Sequence, residues 1–213
     1  MLKNYKKTLI AATIVNLLPM VVGVLLWNQL PERIAVHFGV NGEPDGWGSR
    51  AFVVFGLPAF LAAMELLCAF ATAADPKKQN IQPKIFKLVL WSVPVISLVC
   101  CGGIYAYALG LDVDMEKLVT ALFSVVFIII GNYLPKCRQS YTIGIKLPWT
   151  LESEDNWNRT HRMAGGLWMA GGVVLALMSL LGKTSVAIFL AVVIAMVLVP
   201  TVYSYLLYLR KNK

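Results

Sequence analysis

The stretch IFKLVLWSVPVISLVCCGGIYAYALGL, residues Ile85–Leu111, decides the fold, because it is apolar around a whole helix and not along one stripe. A helix needs about 20 mostly apolar residues to cross a bilayer, and five further stretches of the chain also qualify. The six predicted spans are residues 8–27, 51–74, 85–111, 115–134, 163–181 and 184–208. The sequence therefore predicts an all-α membrane protein, a six-transmembrane helical bundle.

The composition excludes most other classes of protein. Of the 213 residues, 58% are hydrophobic and only 14% are charged, whereas a soluble domain has about 45–50% apolar and about 25% charged residues. This surplus of apolar side chains cannot be buried in one globular core. A soluble enzyme, a disordered chain and a disulfide-rich secreted protein are therefore excluded. We expect a single polytopic membrane domain over residues 1–213.

The distribution of lysine and arginine predicts the topology. Fifteen of these residues fall on one side, namely at the termini, in segments 75–84 and 135–162, and at Lys87 near the start of the third span, and four fall on the other side. Cytoplasmic segments carry the excess of positive charge, so both termini are predicted to be cytoplasmic. The net charge of +8 is then an orientation signal and a contact with membrane lipids, and no direct contact with nucleic acid is expected. We interpret the first span as a retained anchor.

The segment between the first two spans, residues 28–50, is predicted to be a small ordered extracytoplasmic cap. Ile34, Val36 and Phe38 alternate with polar or small residues, as in a half-buried strand. Turn chemistry follows at Asn41-Gly42 and at Pro44-Asp45-Gly46. His37, Glu43 and Asp45 match no standard ligand spacing, so no metal is predicted, although a metal under the cap remains an alternative.

The segment 135–162 is predicted to be a cytoplasmic loop that leads into the fifth span. Ser153 is a candidate N-cap, with Glu154 and Asp155 in the first helical turn. Trp157 and His161 then share one face of the helix. One interpretation is an interfacial belt, in which Trp149 and Trp157 anchor the loop and basic residues meet anionic lipid. The other is a functional site.

Polar residues within the predicted spans are further candidates. Glu65 is the only ionisable residue deep within a predicted span, which makes it a functional candidate. The alternative is a carboxyl that is protonated, or hydrogen-bonded to a Ser, Asn or Tyr of a neighbouring helix. Asn132 lies in the fourth span. The small pairs Gly166/Ala170 and Gly172/Ala176 suggest close helix packing in the fifth span.

Catalytic motifs are absent from the sequence. It contains no HExxH, GxSxG, Walker or GxGxxG pattern, and the four cysteines include no CxxC pair. We therefore predict a protein that is not an enzyme and has no cofactor. Two alternatives stay open: a small ion or solute transporter that uses Glu65, and an intramembrane metal-dependent enzyme.

Two groups of residues, in the expected order, resemble a known family. The outer group resembles an N-terminal domain shared by small bacterial membrane proteins, and the inner group resembles the signature of the SdpI immunity family. The outer group is Leu30-Pro31, Val36-His37-Phe38 and Gly42-Glu43-Pro44-Asp45-Gly46. The inner group is Gly131-Asn132-Tyr133-Leu134-Pro135-Lys136, Tyr141, Gly144-Ile145, Pro148-Trp149-Thr150-Leu151, Trp157 and Thr160-His161-Arg162. Lys146-Leu147 departs from the family pattern, where Arg-Thr is expected.

The resemblance implies a multi-pass protein of the bacterial cell membrane that protects its producer from a secreted, membrane-active peptide toxin of the SdpC type. It also implies a signalling role, in which the protein holds an ArsR-type repressor at the membrane. The implied toxin side of the cap comprises His37, Phe38, Asp45 and Trp47. The implied cytoplasmic motif comprises Tyr141, Gly144, Pro148, Trp149, Thr150, Trp157, Thr160, His161 and Arg162.

Overall fold

The computed structural model describes residues 1–39 and 42–211, which are mostly helical. The helices are α1 (Leu2–Leu25), α2 (Leu57–Ala73), α3 (Pro83–Ala108), α4 (Met115–Tyr133), α5 (Pro148–Glu152), α6 (Glu154–Leu180) and α7 (Val186–Lys211). A π-helical turn, Phe52–Gly56, precedes α2, and 3₁₀ turns cover Lys78–Asn80 and Leu134–Lys136. Two strands, β1 (Arg33–Phe38) and β2 (Pro44–Ser49), lie between α1 and the π-helical turn.

The prediction of six membrane spans is confirmed. Six helices of the described part of the chain are long and apolar enough to cross a membrane. Their ends differ from the predicted ones because the apolar pattern marks the lipid-embedded part of a helix, whereas helical hydrogen bonding continues beyond it. The helix of the fifth span shows this most clearly, since α6 begins at Glu154, directly after the predicted N-cap Ser153, and the apolar span predicted from residue 163 is only its later part. The third ends earlier than predicted, at Ala108, because Gly110 has a positive φ of 78°.

The chain forms two compact units. Unit 1 comprises Met1–Ala73 and Lys87–Val119, and unit 2 comprises Ala74–Phe86 and the chain from Thr120 onward. In unit 1, β1 and β2 form an antiparallel hairpin, interrupted by register shifts around His37. Ile34 is buried in one apolar cluster with Val53 and Tyr105. The hairpin is therefore fixed at its base.

The predicted strand over Ile34–Phe38 is confirmed, but the sequence analysis missed its partner. Strand β2 contains Pro44, Gly46 and Gly48, residue types that are depleted in strands. Gly46 nevertheless suits its position, because a Cβ there would lie 2.8 Å from the Cβ of His37 across the hairpin. At the predicted turn, Gly42 has a positive φ of 72°, while Asn41 lies outside the described residues.

In unit 2, helix α6 packs backbone to backbone against α4. A Cβ at Gly165 would lie 2.8 Å from the carbonyl oxygen of Gly131, and a Cβ at Gly172 would lie 2.7 Å from that of Ser124. The predicted close packing at Gly172 is therefore confirmed. The prediction for Gly166 is wrong, because a Cβ there would meet nothing within 4 Å. The contact face repeats every seven residues, and Gly166 lies one residue away from it.

Candidate functional site

The centre of the predicted motif in unit 2 is a stacked pair, Trp157 and His161, one turn apart on α6. Their ring centroids are 4.0 Å apart, and both side chains are almost fully buried. The Trp157 indole N–H donates to the Cys137 carbonyl at 2.8 Å. The interpretation of Trp157 as an interfacial anchor is therefore wrong, because the loop that precedes α6 folds back over the ring and buries it.

The hydrogen bonds of His161 fix its tautomer. The backbone N–H of Ile145 donates to Nε2 at 2.9 Å, so this nitrogen carries no proton. In the neutral ring the proton then lies on Nδ1, which is 2.8 Å from the Trp157 carbonyl oxygen and donates to it. Both ring nitrogens are thus used within the fold. His161 therefore positions the loop and offers no free nitrogen for acid–base chemistry or for a metal.

Gly144 allows the loop to approach this pair. Its φ is +109°, and a Cβ there would lie 2.5 Å from His161 Nε2 and 2.8 Å from the Trp157 ring. Such a φ strongly favours glycine, and the lack of a side chain leaves room for the hydrogen bond from Ile145 to His161. The residue type at this position therefore follows from the local backbone and from the close contact.

A second group of hydrogen bonds fixes the short helix α5. Thr150 is fully buried, and its hydroxyl accepts from the Leu147 N–H at 2.9 Å and lies 2.8 Å from the Ile145 carbonyl oxygen. The side-chain amide of Gln139 donates to the carbonyl oxygens of Thr150 and Leu151 at 2.9 and 2.7 Å. Pro148 occupies the first turn of the helix, where its missing N–H costs nothing.

Asp75, just after α2, attaches the other end of the loop. Its Oδ2 accepts from the Ser140 hydroxyl (3.0 Å), from the N–H of Tyr141 and Thr142 (both 2.9 Å) and from the Thr142 hydroxyl (2.6 Å), and Oδ1 accepts from the Lys77 N–H (2.7 Å). Burial alone would raise the pKa of this carboxyl, but these hydrogen bonds together lower it. The carboxylate is therefore the anchor of segment 139–143.

Helix α7 completes the motif through Ser204. The Trp149 indole N–H donates to the Ser204 hydroxyl at 2.9 Å, and the Asn156 side chain donates to the Ser204 carbonyl at 2.9 Å. The Thr160 hydroxyl in turn donates to the Asn156 side-chain oxygen at 3.0 Å. Ser153 caps α6 as predicted, since its hydroxyl accepts from the Asn156 N–H at 3.3 Å. The loop is thus a closed hydrogen-bonded structure.

The exposed part of the motif is small and mainly basic. Tyr141 is 49% exposed, and Arg159 and Arg162 point away from the buried face of α6. A cleft of about 360 Å³ lies between α6 and the end of α7, and Trp149, Arg159 and Arg210 contribute to its walls. Of the predicted cytoplasmic motif residues, only those outside the hydrogen-bonded core can therefore meet a partner directly.

The predicted cap site in unit 1 divides into exposed and packed residues. The His37 imidazole pairs with the Asp45 carboxylate across the hairpin, with side chains 73% and 55% exposed. Trp47 is also exposed, at 49%. Phe38 instead packs edge-to-face on Tyr107 with ring centroids 5.0 Å apart, so it supports the hairpin. His37, Asp45 and Trp47 form the available surface.

The two intramembrane polar candidates have different surroundings. Glu65 is 1% exposed and accepts from the Asn16 side-chain amide at 2.9 Å and from the Thr13 hydroxyl at 3.1 Å, both on α1. The expectation that it is hydrogen-bonded to a neighbouring helix is confirmed. Asn132 is exposed on α4 and accepts from Lys136 Nζ at 3.0 Å, so it is a local partner of that lysine.

Cysteine and metal chemistry receive no support from the residues that the structure describes. Among them, no group of three His, Cys, Asp or Glu side chains could hold a metal ion. Cys137 is buried, which raises the pKa of its thiol to about 11. The thiol is therefore protonated at neutral pH, and it lies 3.4 Å from the Tyr133 carbonyl oxygen as a donor.

The sequence did not predict that Asp75, Gln139 and Ser204 belong to the site. A carboxylate followed directly by Pro76, at the end of an apolar helix, is a weak local signal for an anchoring role. No comparable signal marks Ser204, because serine is tolerated within membrane helices.

The fold and the site define a multi-pass cell-membrane protein that combines a β-hairpin cap with a folded, tryptophan- and histidine-centred loop. Residues 136–204 match the family model of the SdpI/YfhL protein family, and residues 14–62 match that of a domain of unknown function, DUF1648. Over residues 136–204 the chain is therefore similar to the SdpI/YfhL protein family.

Two relatives are similar to the chain, one over nearly its full length and one over part of it. The chain is 24% identical over 208 residues to the immunity protein SdpI of Bacillus subtilis (strain 168), covering 97% of this chain and 98% of that protein. It is also 34% identical over 80 residues to an uncharacterized protein of Archaeoglobus fulgidus, covering 38% of this chain and 41% of that one. No solved structure matches the chain significantly.

Proposed function

We propose that the chain is an SdpI-like immunity protein, which protects the cell from a secreted, membrane-active peptide toxin of the SdpC type. The observation behind this proposal is the similarity to the B. subtilis immunity protein over nearly the whole of both chains. The function is binding and not catalysis, in keeping with a motif whose His161 has both ring nitrogens engaged. Membrane lipids surround the outward-facing apolar side chains of the six spans.

The proposal places both termini and the motif loop in the cytoplasm and the hairpin cap outside the membrane. The distribution of lysine and arginine supports this orientation. An arriving toxin would then meet His37, Asp45 and Trp47 on the hairpin. Trp47 is the strongest candidate for direct contact, because large exposed aromatic side chains supply most of the binding energy at interfaces.

A survival assay tests the immunity function. The protein is expressed in a toxin-sensitive bacterial strain, which is then challenged with several SdpC-type peptides. We expect higher survival and a better-preserved membrane potential than with the empty vector. The proposal would be contradicted if the protein is present in the membrane and yet survival and membrane potential equal those of the empty vector for every peptide.

A matched pair of variants tests the cap as the toxin side. An aromatic anchor contributes about 2 kcal/mol to binding, so Trp47→Ala should weaken toxin binding by a factor on the order of tenfold or more. The control is Phe60→Ala, which removes an aromatic ring of the same exposed class on α2, outside the cap. Equal survival of the two variants would argue against contact through the hairpin.

We further propose that the exposed basic side of the motif loop receives an ArsR-type repressor at the cytoplasmic face. Arg159 and Arg162 are both exposed on α6, and Arg159 is only weakly occupied by its i,i+4 pair with Asp155 at 3.1 Å. Substitution of both arginines by glutamine should abolish recruitment of a fluorescent repressor to the membrane and leave toxin protection intact. Recruitment unchanged by both substitutions would exclude this surface.

A further inference from the structure

The interior of unit 1 contains a polar cluster made by Thr13 and Asn16 of α1 and Glu65 of α2. Glu65 and Asn16 are 1% and 0% exposed. Asn16 Nδ2 donates to Glu65 Oε2 at 2.9 Å, and the Thr13 hydroxyl lies 3.1 Å from Oε1. Both groups that contact the carboxyl are therefore neutral donors.

The cluster has too few hydrogen atoms for its acceptors if the carboxyl is ionised. The Thr13 hydroxyl carries one hydrogen, and it lies within reach of both Glu65 Oε1 and the Leu9 carbonyl oxygen, 3.0 Å away. The side-chain oxygen of Asn16 is buried and has no donor among the described residues. An amide oxygen without a donor in an apolar interior is costly. One more hydrogen atom would satisfy it.

The contrast with the other deeply buried carboxyl is informative. Asp75 accepts five hydrogen bonds, three of them from backbone N–H groups. Such a set of donors suits a carboxylate. Glu65 has two donors, one of them shared, and lies beside an acceptor that lacks a partner. An ionised side chain within a membrane span is also expensive.

The neighbouring helices place few charges near the cluster. On α1, Lys3, Lys6 and Lys7 are exposed, and Lys7 precedes Thr13 by six residues, which is about 9 Å along the helix. Helix α3 contacts α1 through Ser97, whose hydroxyl donates to the Asn16 carbonyl at 3.3 Å, and through Tyr105, whose hydroxyl donates to the Pro19 carbonyl at 3.0 Å. Within the spans, α3 also carries the Tyr105 phenol and the Cys101 thiol, and α2 carries the Cys68 thiol.

We propose that Glu65 is a proton-binding site within the membrane. The protonated carboxyl donates its O–H to the side-chain oxygen of Asn16, and the Asn16 N–H donates back to the carboxyl. This acid–amide pair satisfies the amide oxygen and removes the buried charge. The Thr13 hydroxyl is then free to bond the Leu9 carbonyl. The bound species is a single proton, exchanged without any other covalent change.

A metal cation suits the cluster less well than a proton. Cation sites are lined by oxygen atoms, whereas here the Asn16 N–H points its hydrogen at the carboxyl. This donor would face a bound cation with its positive end. When the carboxyl is protonated, the Asn16 amide instead donates through its N–H and accepts through its oxygen.

Infrared difference spectroscopy of the full chain in lipid bilayers tests the proposal. At neutral pH we expect a carboxylic-acid carbonyl band that is absent from the Glu65→Gln variant. The other carboxyl groups are present in both proteins and cancel in the difference spectrum. The band should shift in Asn16→Ala, because the acid then loses its acceptor. A difference spectrum that shows only carboxylate bands at neutral pH would overturn the proposal, as would a carboxylate band that moves on exchange of sodium for choline.

Thermal stability gives a second readout. Glutamine is the isostere of a protonated glutamate, and its amide can donate to Asn16 as the acid does. Glu65→Gln should therefore retain the wild-type Tm, whereas Glu65→Leu, which lacks both donor and acceptor, should lower it. A Glu65→Gln variant that loses its fold would show that the ionised form is required. Neither readout involves a toxin, so this inference and the immunity function can fail separately.

Discussion

Gly144 is the residue on which the geometry of the motif loop depends most directly. Gly144→Ala places a Cβ 2.5 Å from His161 Nε2, in a backbone conformation with φ of +109°. We expect the free energy of unfolding to fall by about 3 kcal/mol or more, because the substitution displaces the hydrogen bond from Ile145 and also strains the backbone. Thermal unfolding of the purified protein in detergent measures this loss.

Gly182→Ala is the control for that substitution. Gly182 also has a positive φ, +65°, but a Cβ there meets nothing within 4 Å. In the control, the free energy of unfolding should therefore fall only by the cost of the left-handed backbone, about 1–2 kcal/mol. Equal losses in the two variants would mean that the contact with His161 contributes nothing.

Asp75 predicts a specific dependence of stability on pH. The pKa of its carboxyl lies below the usual 3.8 in the folded protein, so the unfolded chain takes up the proton first as the pH falls. The stabilisation by Asp75 is then complete above the usual value and is lost as the pH falls through the folded pKa. Asp75→Asn should cost about 2–3 kcal/mol at neutral pH, and this deficit should shrink below about pH 4.

The Tm of wild type and variant across an acid titration measures this difference. The matched control is Asp112→Asn, which changes an exposed aspartate in the connection between α3 and α4. It should leave the Tm close to that of the wild type at neutral pH. A deficit for Asp75→Asn that stays constant down to the lowest pH would contradict the anchoring role of the carboxylate.

Individual residues of the site differ in how far the sequence reveals them. Trp157 and His161 are rare residue types that share one helix face, and Gly144 joins them through the resemblance to a known family, so the three could be predicted as a group. The role of Asp75 could not, because its partners Ser140 and Thr142 lie 65 and 67 residues away. A separation of that length leaves no periodic pattern. The same applies to Ser204.

At the scale of elements, two adjacent glycines on α6 should respond in opposite ways. Gly165→Ala places a Cβ 2.6 Å from the Pro135 ring and 2.8 Å from the Gly131 carbonyl, so α4 and α6 must separate. We expect the free energy of unfolding to fall by about 1–3 kcal/mol because of overpacking. Gly166→Ala meets nothing within 4 Å and should be neutral or stabilising by up to about 1 kcal/mol.

Thermal unfolding of the two glycine variants, prepared in parallel, decides between these expectations. Because the substitutions are chemically identical and one residue apart, differences in expression or detergent binding cancel. If Gly166→Ala were the more damaging variant, the observed face of α6 would not be the one that packs against α4.

Helices and strands differed in how well the sequence predicted them. The six spans could be predicted because each must present about 20 apolar residues to lipid, which leaves a long and unambiguous pattern. Their ends could not, because α1 continues through Lys3, Lys6 and Lys7, which carry no apolar signal. Strand β2 was missed because its residue types favour turns, and only pairing with β1 makes it a strand.

For the whole molecule, the proposed orientation predicts a pattern of labelling from the two sides of the membrane. In a variant whose four cysteines are replaced by alanine, single Trp47→Cys and Tyr141→Cys substitutions place thiols on two exposed positions. A membrane-impermeant maleimide should label Trp47→Cys in intact cells and Tyr141→Cys only after permeabilisation. Labelling of Tyr141→Cys in intact cells would reverse the proposed orientation.

The hydrogen bonds to Ser204 have a consequence for the order in which this protein matures during synthesis. Asn156 and Trp149 find their partner on a residue that the ribosome adds 48 and 55 positions later. Until α7 has been made and has packed into unit 2, the motif loop lacks part of its hydrogen bonding. Nascent chains shorter than this therefore lack the two hydrogen bonds to Ser204, and a truncation before Ser204 removes them from a segment that lies far away along the chain.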